Sequence, residues 1–168
     1  DSSSSSGSAE KDTVVYGTPT APAGTFNPAL AYMGGDNDII QLSYASLLET
    51  HPDGSVYPYL AEDYAVSDDQ LSITFTLRSD ALWQDGEAVT VDDVIFTFEA
   101  IAKSADDFGK ISYVKGAQEF RDGTADSISG ITIPDENSVK LELTETYAPI
   151  LKQLGTYGIL PEHIWGEI

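Results

Sequence analysis

Cysteine is missing altogether, which excludes a disulfide framework, a thiolate metal site and a cysteine nucleophile. Basic residues are scarce: 8 Lys and Arg stand against 28 Asp and Glu, a formal charge of −20 over 168 residues. A surface of that sign lacks the cations that neutralise phosphates, so nucleic acid and anionic membrane surfaces are poor partners. It keeps a chain soluble and tolerates neutral or cationic ligands without saying anything about fold. No apolar run approaches the roughly 18 to 20 residues of a membrane-spanning helix. Two histidines, His51 and His163, are too far apart for a helical zinc pair.

Apolar residues nevertheless make up 41% of the chain and aromatics 10%, enough for a packed core. The first twelve residues, "DSSSSSGSAEKD", have the composition of a flexible tether. They read either as a cloning remnant or ordinary flexible end, or as the spacer left after a signal peptide is removed. "DTVVYGT" follows as a first strand, then "PTAPAGTFNP", a loop punctuated by Pro and Gly. "DNDIIQLSYASLLET" carries helical spacing, with Asp36 or Asp38 as the expected N-cap.

Two hairpins come next. Leu71, Ile73, Phe75 and Leu77 alternate with Ser72, Thr74, Thr76 and Arg78, a period that turns one face inward and one to water. "SDDQ" is the turn joining that strand to the segment 64–66. In the second hairpin Ile131 and Ile133 stand on one arm and Val139, Leu141 and Leu143 on the other, around the turn "PDEN". Between the hairpins lies "LWQDGEAVTVDDVIFTFEAI". Its "QDGE" predicts a tight turn with Gly86 at positive φ. Thr90 and Asp93 have capping-box spacing, and Val91, Val94, Ile95, Phe98, Ile101 and Ala102 form one apolar stripe, predicting a helix from Val91 to about Ala102. Phe96 lies off that stripe, where it either packs under a neighbouring segment or faces a ligand. Trp83 and Trp165 are expected to be half-buried. The tail predicts a short helix, a strand "YGIL" and a helical turn started by Pro161, and it stops at Ile168 as though cut.

Chemistry is hard to find. The sequence has no P-loop, no GxSxG and no GxGxxG after the first strand. "GGDND" and "PDENS" lack the alternating ligands and terminal Glu of a calcium loop. No catalytic residue, metal site or cofactor is expected. A secreted hydrolase using an acidic pair is the contrary reading, and it lacks a positioned base. These observations favour a binding module.

Taken in series the motifs resemble a known family. Pro58, Leu60-Ala61-Glu62, Phe75-Thr76-Leu77-Arg78, Trp83, Asp85-Gly86, Thr90 and Asp93-Val94 match the pattern of the extracellular solute-binding proteins of family 5. These are the oligopeptide-, dipeptide- and nickel-binding components of ABC importers. Val91 stands where the family usually has Ala. "TFNPAL", "HPDGSVYPYLAED" and "ILPEHIW" add flanking matches, so the resemblance covers about Thr13 to Trp165 and corresponds to the family's N-terminal third.

The resemblance implies an α/β (α+β) fold of the periplasmic-binding-protein-like II type, in which two lobes close on a ligand. This chain would be a fragment of lobe one with its small subdomain, antiparallel hairpins packed with helices. Residues 1–12 would be the tether, 13–36 the first strand and cleft loop, 37–156 the subdomain, and 157–168 a truncated return segment to lobe one. It implies a peptide or other small solute as ligand, ABC permease subunits as partners, and an extracellular or periplasmic location. Membrane contact would be only through a lipid anchor outside this sequence. Relatives that bind nickel chelates or oligosaccharides, or that signal, leave those functions as alternatives. By the same resemblance Thr18, Pro19, Thr20, Phe26, Trp83 and Phe96 are candidate ligand contacts.

Overall fold

The computed structural model describes Gly17 and residues 19–29, 34–105 and 107–166. The tether, the expected first strand at 13–16 and Thr18 lie outside the described residues. The chain forms a mixed α+β body. Helix α1 (Gly34–Ser43) leads into a small hairpin, β1 (Leu48–Thr50) with β2 (Val56–Pro58). A four-stranded antiparallel sheet follows in the order β3-β4-β6-β5, from β3 (Ala61–Val66), β4 (Ser72–Leu77), β5 (Ile131–Asp135) and β6 (Ser138–Glu142). Helices α2 (Val91–Lys103) and α3 (Ala117–Arg121) lie between β4 and β5 in sequence, and α4 (Ile150–Gly155) and α5 (Glu162–Trp165) follow β6.

The alternation read in β4 sets the core. Ile73, Phe75 and Leu77 are buried, as are Val139 and Leu141 on β6, which pairs with it in register Phe75 to Val139. The stripe of α2 joins them: Val94, Phe98 and Ile101 are fully buried in the same cluster. Each such side chain contributes about 1.5–3 kcal/mol by leaving water. Helix α2 starts where the sequence puts it, behind Thr90, and ends at Lys103. Ser67 and Gln70 close the first hairpin turn, where Gln70 takes φ 57. Gly86 takes φ 94 in the "QDGE" turn, whose ends are tied by Gly86 N donating to the Trp83 carbonyl.

Five expectations are corrected. Helix α1 stops at Ser43, and the fully buried Leu47 and Leu48 enter the β1–β2 hairpin, where Tyr59 and Ala61 N–H groups take the Leu47 carbonyl. The apolar spacing there does not mark one helix face, since Leu42 is 70% exposed while Leu47 and Leu48 are buried beyond the helix end. Asp36 is not an N-cap but lies inside the first turn, which begins at Gly34. Leu71 precedes β4 and is 37% exposed, and Ile133 is 47% exposed. Strand β5 is an edge strand containing Pro134, and its pairing with β6 slips between Thr132 and Asp135, so the alternation breaks and Ile133 turns outward. "YGIL" forms no strand, only a single bridge from Gly158 to Ser46.

Candidate functional site

Two buried polar hubs organise the molecule. The first is Asp93, at N3 of α2 and 4% exposed. One carboxylate oxygen accepts the Thr90 N–H at 2.9 Å and the Trp83 indole N–H at 3.2 Å. The other accepts the Glu162 N–H at 2.8 Å. A turn later, the Thr97 hydroxyl donates to the Asp93 carbonyl at 2.7 Å and accepts the Leu160 N–H at 2.8 Å. The segment 160–162 is thereby laced along α2, and the Ile159 N–H bonds the Ala45 carbonyl beside α1. Outside this hub, His163 Nε2 meets Asp85 Oδ2 at 2.7 Å, fastening α5 to the "QDGE" turn. That hydrogen bond holds His163 above, and Asp85 below, its ordinary pKa.

The second hub fixes the loop 19–29. Asp36, fully buried, accepts the Gly24 N–H at 3.0 Å and the Thr25 N–H at 3.4 Å. The loop backbone also runs against the start of α1: a Cβ on Gly35 would lie 2.8 Å from the Thr20 carbonyl oxygen, so only glycine fits there. Further on, the Tyr157 hydroxyl shares its proton between the Pro28 carbonyl at 2.6 Å and Asp107 Oδ2 at 2.7 Å. Burial first, and the Asp107 hydrogen bond second, push the Tyr157 pKa far upward, so this phenol stays neutral. Lys110 pairs with Asp107 and sits 4.8 Å from the centre of the Tyr157 ring.

Beside this clamp opens a cleft of about 1010 Å³. Pro28 and Tyr157 line it with Tyr44, Gln41, Glu49, Asp107, Lys110 and Lys152. The lining mixes amides, hydroxyls, two lysines and two carboxylates. It can hydrogen-bond a polar solute and meet charge of either sign. Among the described residues no group of three His, Cys, Asp or Glu side chains is placed to hold a metal ion.

The sequence-derived candidates are dispersed. Pro19 and Thr20 are exposed on the clamped loop, and Phe26 on the same loop is 42% exposed. Trp83 is 8% exposed, with its indole N–H given to Asp93 and its ring lining a separate hollow of about 250 Å³ with Leu42, Tyr59 and Leu82. Phe96 is half-buried on α2. None of these residues lines the large cleft. Asp36, Asp107 and Tyr157 were not singled out for this role from the sequence. Tyr157 reaches its partners at separations of 129 and 50 residues, and no local pattern encodes that.

Comparison with known proteins gives the fold and its lineage. The chain is 31% identical over 157 residues to the dipeptide-binding protein of Escherichia coli K12, covering 88% of this chain and 29% of that protein. Haemophilus influenzae OppA, solved in complex with the peptide RPPGFSPFR, superposes with TM-score 0.76 at 22% identity, covering 84% of this chain and 29% of that one. Campylobacter jejuni NikZ, solved with Ni(L-His), superposes with TM-score 0.66 at 28% identity, covering 84% and 26%. The fold is therefore that of the periplasmic binding proteins, and the chain spans somewhat under a third of the length of these relatives. Residues 55–167 match the profile of the bacterial extracellular solute-binding proteins, family 5. With the capped α2, the paired hairpins and the laced return segment all inside or beside that match, the chain belongs to family 5 of the bacterial extracellular solute-binding proteins.

Proposed function

We propose that this chain is part of the substrate-binding component of an ABC importer and helps capture a peptide or similar small solute between two lobes. The observation that carries the reading is the loop 19–29. It faces solvent at Pro19, Thr20 and Phe26, yet is tied down at Asp36 and Tyr157 next to a polar cleft. A loop held in one conformation before ligand arrives spares the entropy of ordering it. Exposed backbone on such a loop suits extended peptides, which are gripped mainly through main-chain hydrogen bonds. Thr18, Pro19, Thr20 and Phe26 are the first contacts to test, with Trp83 and Phe96 as secondary ones. Residues 37–156 act as the subdomain wall and 157–168 as the return segment. Permease subunits are the partners, and the Ser-rich first twelve residues act as the spacer from a lipid anchor on the outer face of the membrane. No step of bond-making is assigned to any residue.

Thermal unfolding of the intact protein with pools of di- to pentapeptides tests this. A bound peptide at a hundred times its Kd adds about 2.7 kcal/mol of stability. Residues 1–168 by themselves are expected to show no such gain, because the opposing lobe supplies the remaining contacts. A second reading, capture of a nickel chelate, is raised by the likeness to NikZ at 28% identity, which is below the 31% to the dipeptide-binding protein. Nickel with histidine forms one arm of the same experiment and oligosaccharides another. If peptides, nickel complexes and sugars all leave the transition unmoved, the importer reading fails.

A further inference from the structure

Outside the two hubs, acidic side chains far outnumber basic ones, and many of them serve only local turns. Acidic residues occur as adjacent pairs at both ends of the four-stranded sheet: Asp68-Asp69 in the β3–β4 turn, Glu62-Asp63 on β3 and Asp135-Glu136 at the β5–β6 turn. The few cations do little to neutralise them. Among the described residues Lys115 and Lys140 both serve Glu142, at 3.9 and 3.1 Å. Lys110 is spent on Asp107, and Arg78 on Asp80. Lys103 donates to the Phe120 carbonyl and lies over its ring, and Arg121 donates to the Ser104 carbonyl and lies over Phe108. Those last two brace α3 against the end of α2, and Lys103 also attracts Glu99. Like charges also meet across elements. Burial first, then the nearby Glu162, raise the pKa of Glu99.

In dilute buffer such a surface repels itself, and the repulsion is relieved when the chain expands. Dissolved salt shortens its reach from about 10 Å at 0.1 M to about 3 Å at 1 M. The usual cost of salt, weakened surface ion pairs, is small here because so few exist and each is worth little. We infer that this protein is built for concentrated salt: its folded form relies on dissolved cations to screen a carboxylate surface that its own side chains leave unneutralised.

The test is the melting temperature of the intact protein in KCl, a salt without the strong exclusion effect of sulfate. Between 0.1 and 2 M the expected rise exceeds about 10 °C, and a flat or falling curve overturns the inference. A second protein separates charge from any generic effect of salt. Asp68→Asn, Glu119→Gln, Asp126→Asn, Glu136→Gln and Glu145→Gln are combined, all exposed and none with a side-chain hydrogen bond or ion pair among the described residues. The combined variant is expected to melt higher than the parent at 0.1 M and to gain less from 2 M KCl. Equal gains in both proteins would show the salt effect to be independent of these charges and would also overturn the inference. Ligand binding is not part of either readout, so the outcome is separate from that of the importer reading.

Discussion

Two buried carboxylates sit in the first turns of helices, Asp36 in α1 and Asp93 in α2. Asp93 gathers donors from three stretches of chain: the "QDGE" turn through Trp83, its own N-cap at Thr90, and the return segment at Glu162. Among the described residues Asp36 gathers two donors, both from one exposed loop. Asp93 therefore closes the body around the sheet, while Asp36 holds a single surface feature in place. A hydrogen bond to a charged acceptor is worth about 1.5–3 kcal/mol, and stranding its buried partners adds to the loss. The two sites should differ accordingly in how much of the molecule they govern.

The largest effect is expected at the first of them. Asp93→Ala leaves the indole and two backbone N–H groups without an acceptor and should cost about 3–5 kcal/mol in urea unfolding. Asp93→Asn, which keeps an oxygen, should recover a good part of that. A loss below about 1 kcal/mol would show that the three donors find other partners and that Asp93 is not a hub.

Asp36→Ala should cost less overall, about 1–2 kcal/mol, because a surface loop can let water reach the freed amides. Its signature is local: amide exchange at Gly24 and Thr25 should accelerate far more than in α2, and protease should cut within 19–29. If core amides on α2 speed up equally, the contrast between body and loop disappears.

Tyr157→Phe sharpens the same comparison from the other end of the loop. It removes the hydroxyl between Pro28 and Asp107 while keeping the ring, for about 1 kcal/mol. In the intact protein it should weaken ligand capture by more than it lowers stability. Unchanged affinity would detach the loop from the proposed site.

The smallest effect is expected at the His163–Asp85 clasp, both of whose side chains are partly exposed. His163 is raised above 6.5 when folded, so its contribution is complete below that value and fades as pH climbs through the folded pKa. Asp85 is lowered below 3.8, so its contribution is complete above that value and fades as pH falls through the folded one. The clasp is thus strongest from about pH 4 to 6.5. Denaturation midpoints should decline slightly from pH 6 to 8 in the parent and less in His163→Gln. Identical slopes would mean that the clasp carries no stability.

Much of the Asp93 hub was legible locally. The capping-box spacing, the Gly86 turn and the α2 stripe all lie within one short window, and hydrogen bonds three or ten residues apart leave a trace in spacing. Its third donor, the Glu162 N–H, lies 69 residues away, and nothing near Asp93 announces it. Asp36 misled for a related reason. An acid before an apolar run is the ordinary mark of an N-cap, and whether it caps its own helix or a distant loop depends on where that loop folds. Ile133 shows the opposite failure. Its alternation was real, but an edge strand with a proline can slip its pairing at little cost because only one side is bonded.

Local pattern was enough for the mixed α+β class, both large hairpins, the boundaries of α2 and the family, since each rests on short-range periodicity or on motifs in fixed order. Packing alone settled that Asp36 and Tyr157 pin the exposed loop, that Trp83 gives its indole N–H to Asp93 and stands off the large cleft, and that this cleft opens beside Tyr44, Lys110 and Lys152. The reason is physical. Backbone propensity and amphipathic pattern act over one or two turns of chain, whereas a buried carboxylate or phenol takes whichever donors packing brings within about 3 Å, from any distance along the sequence.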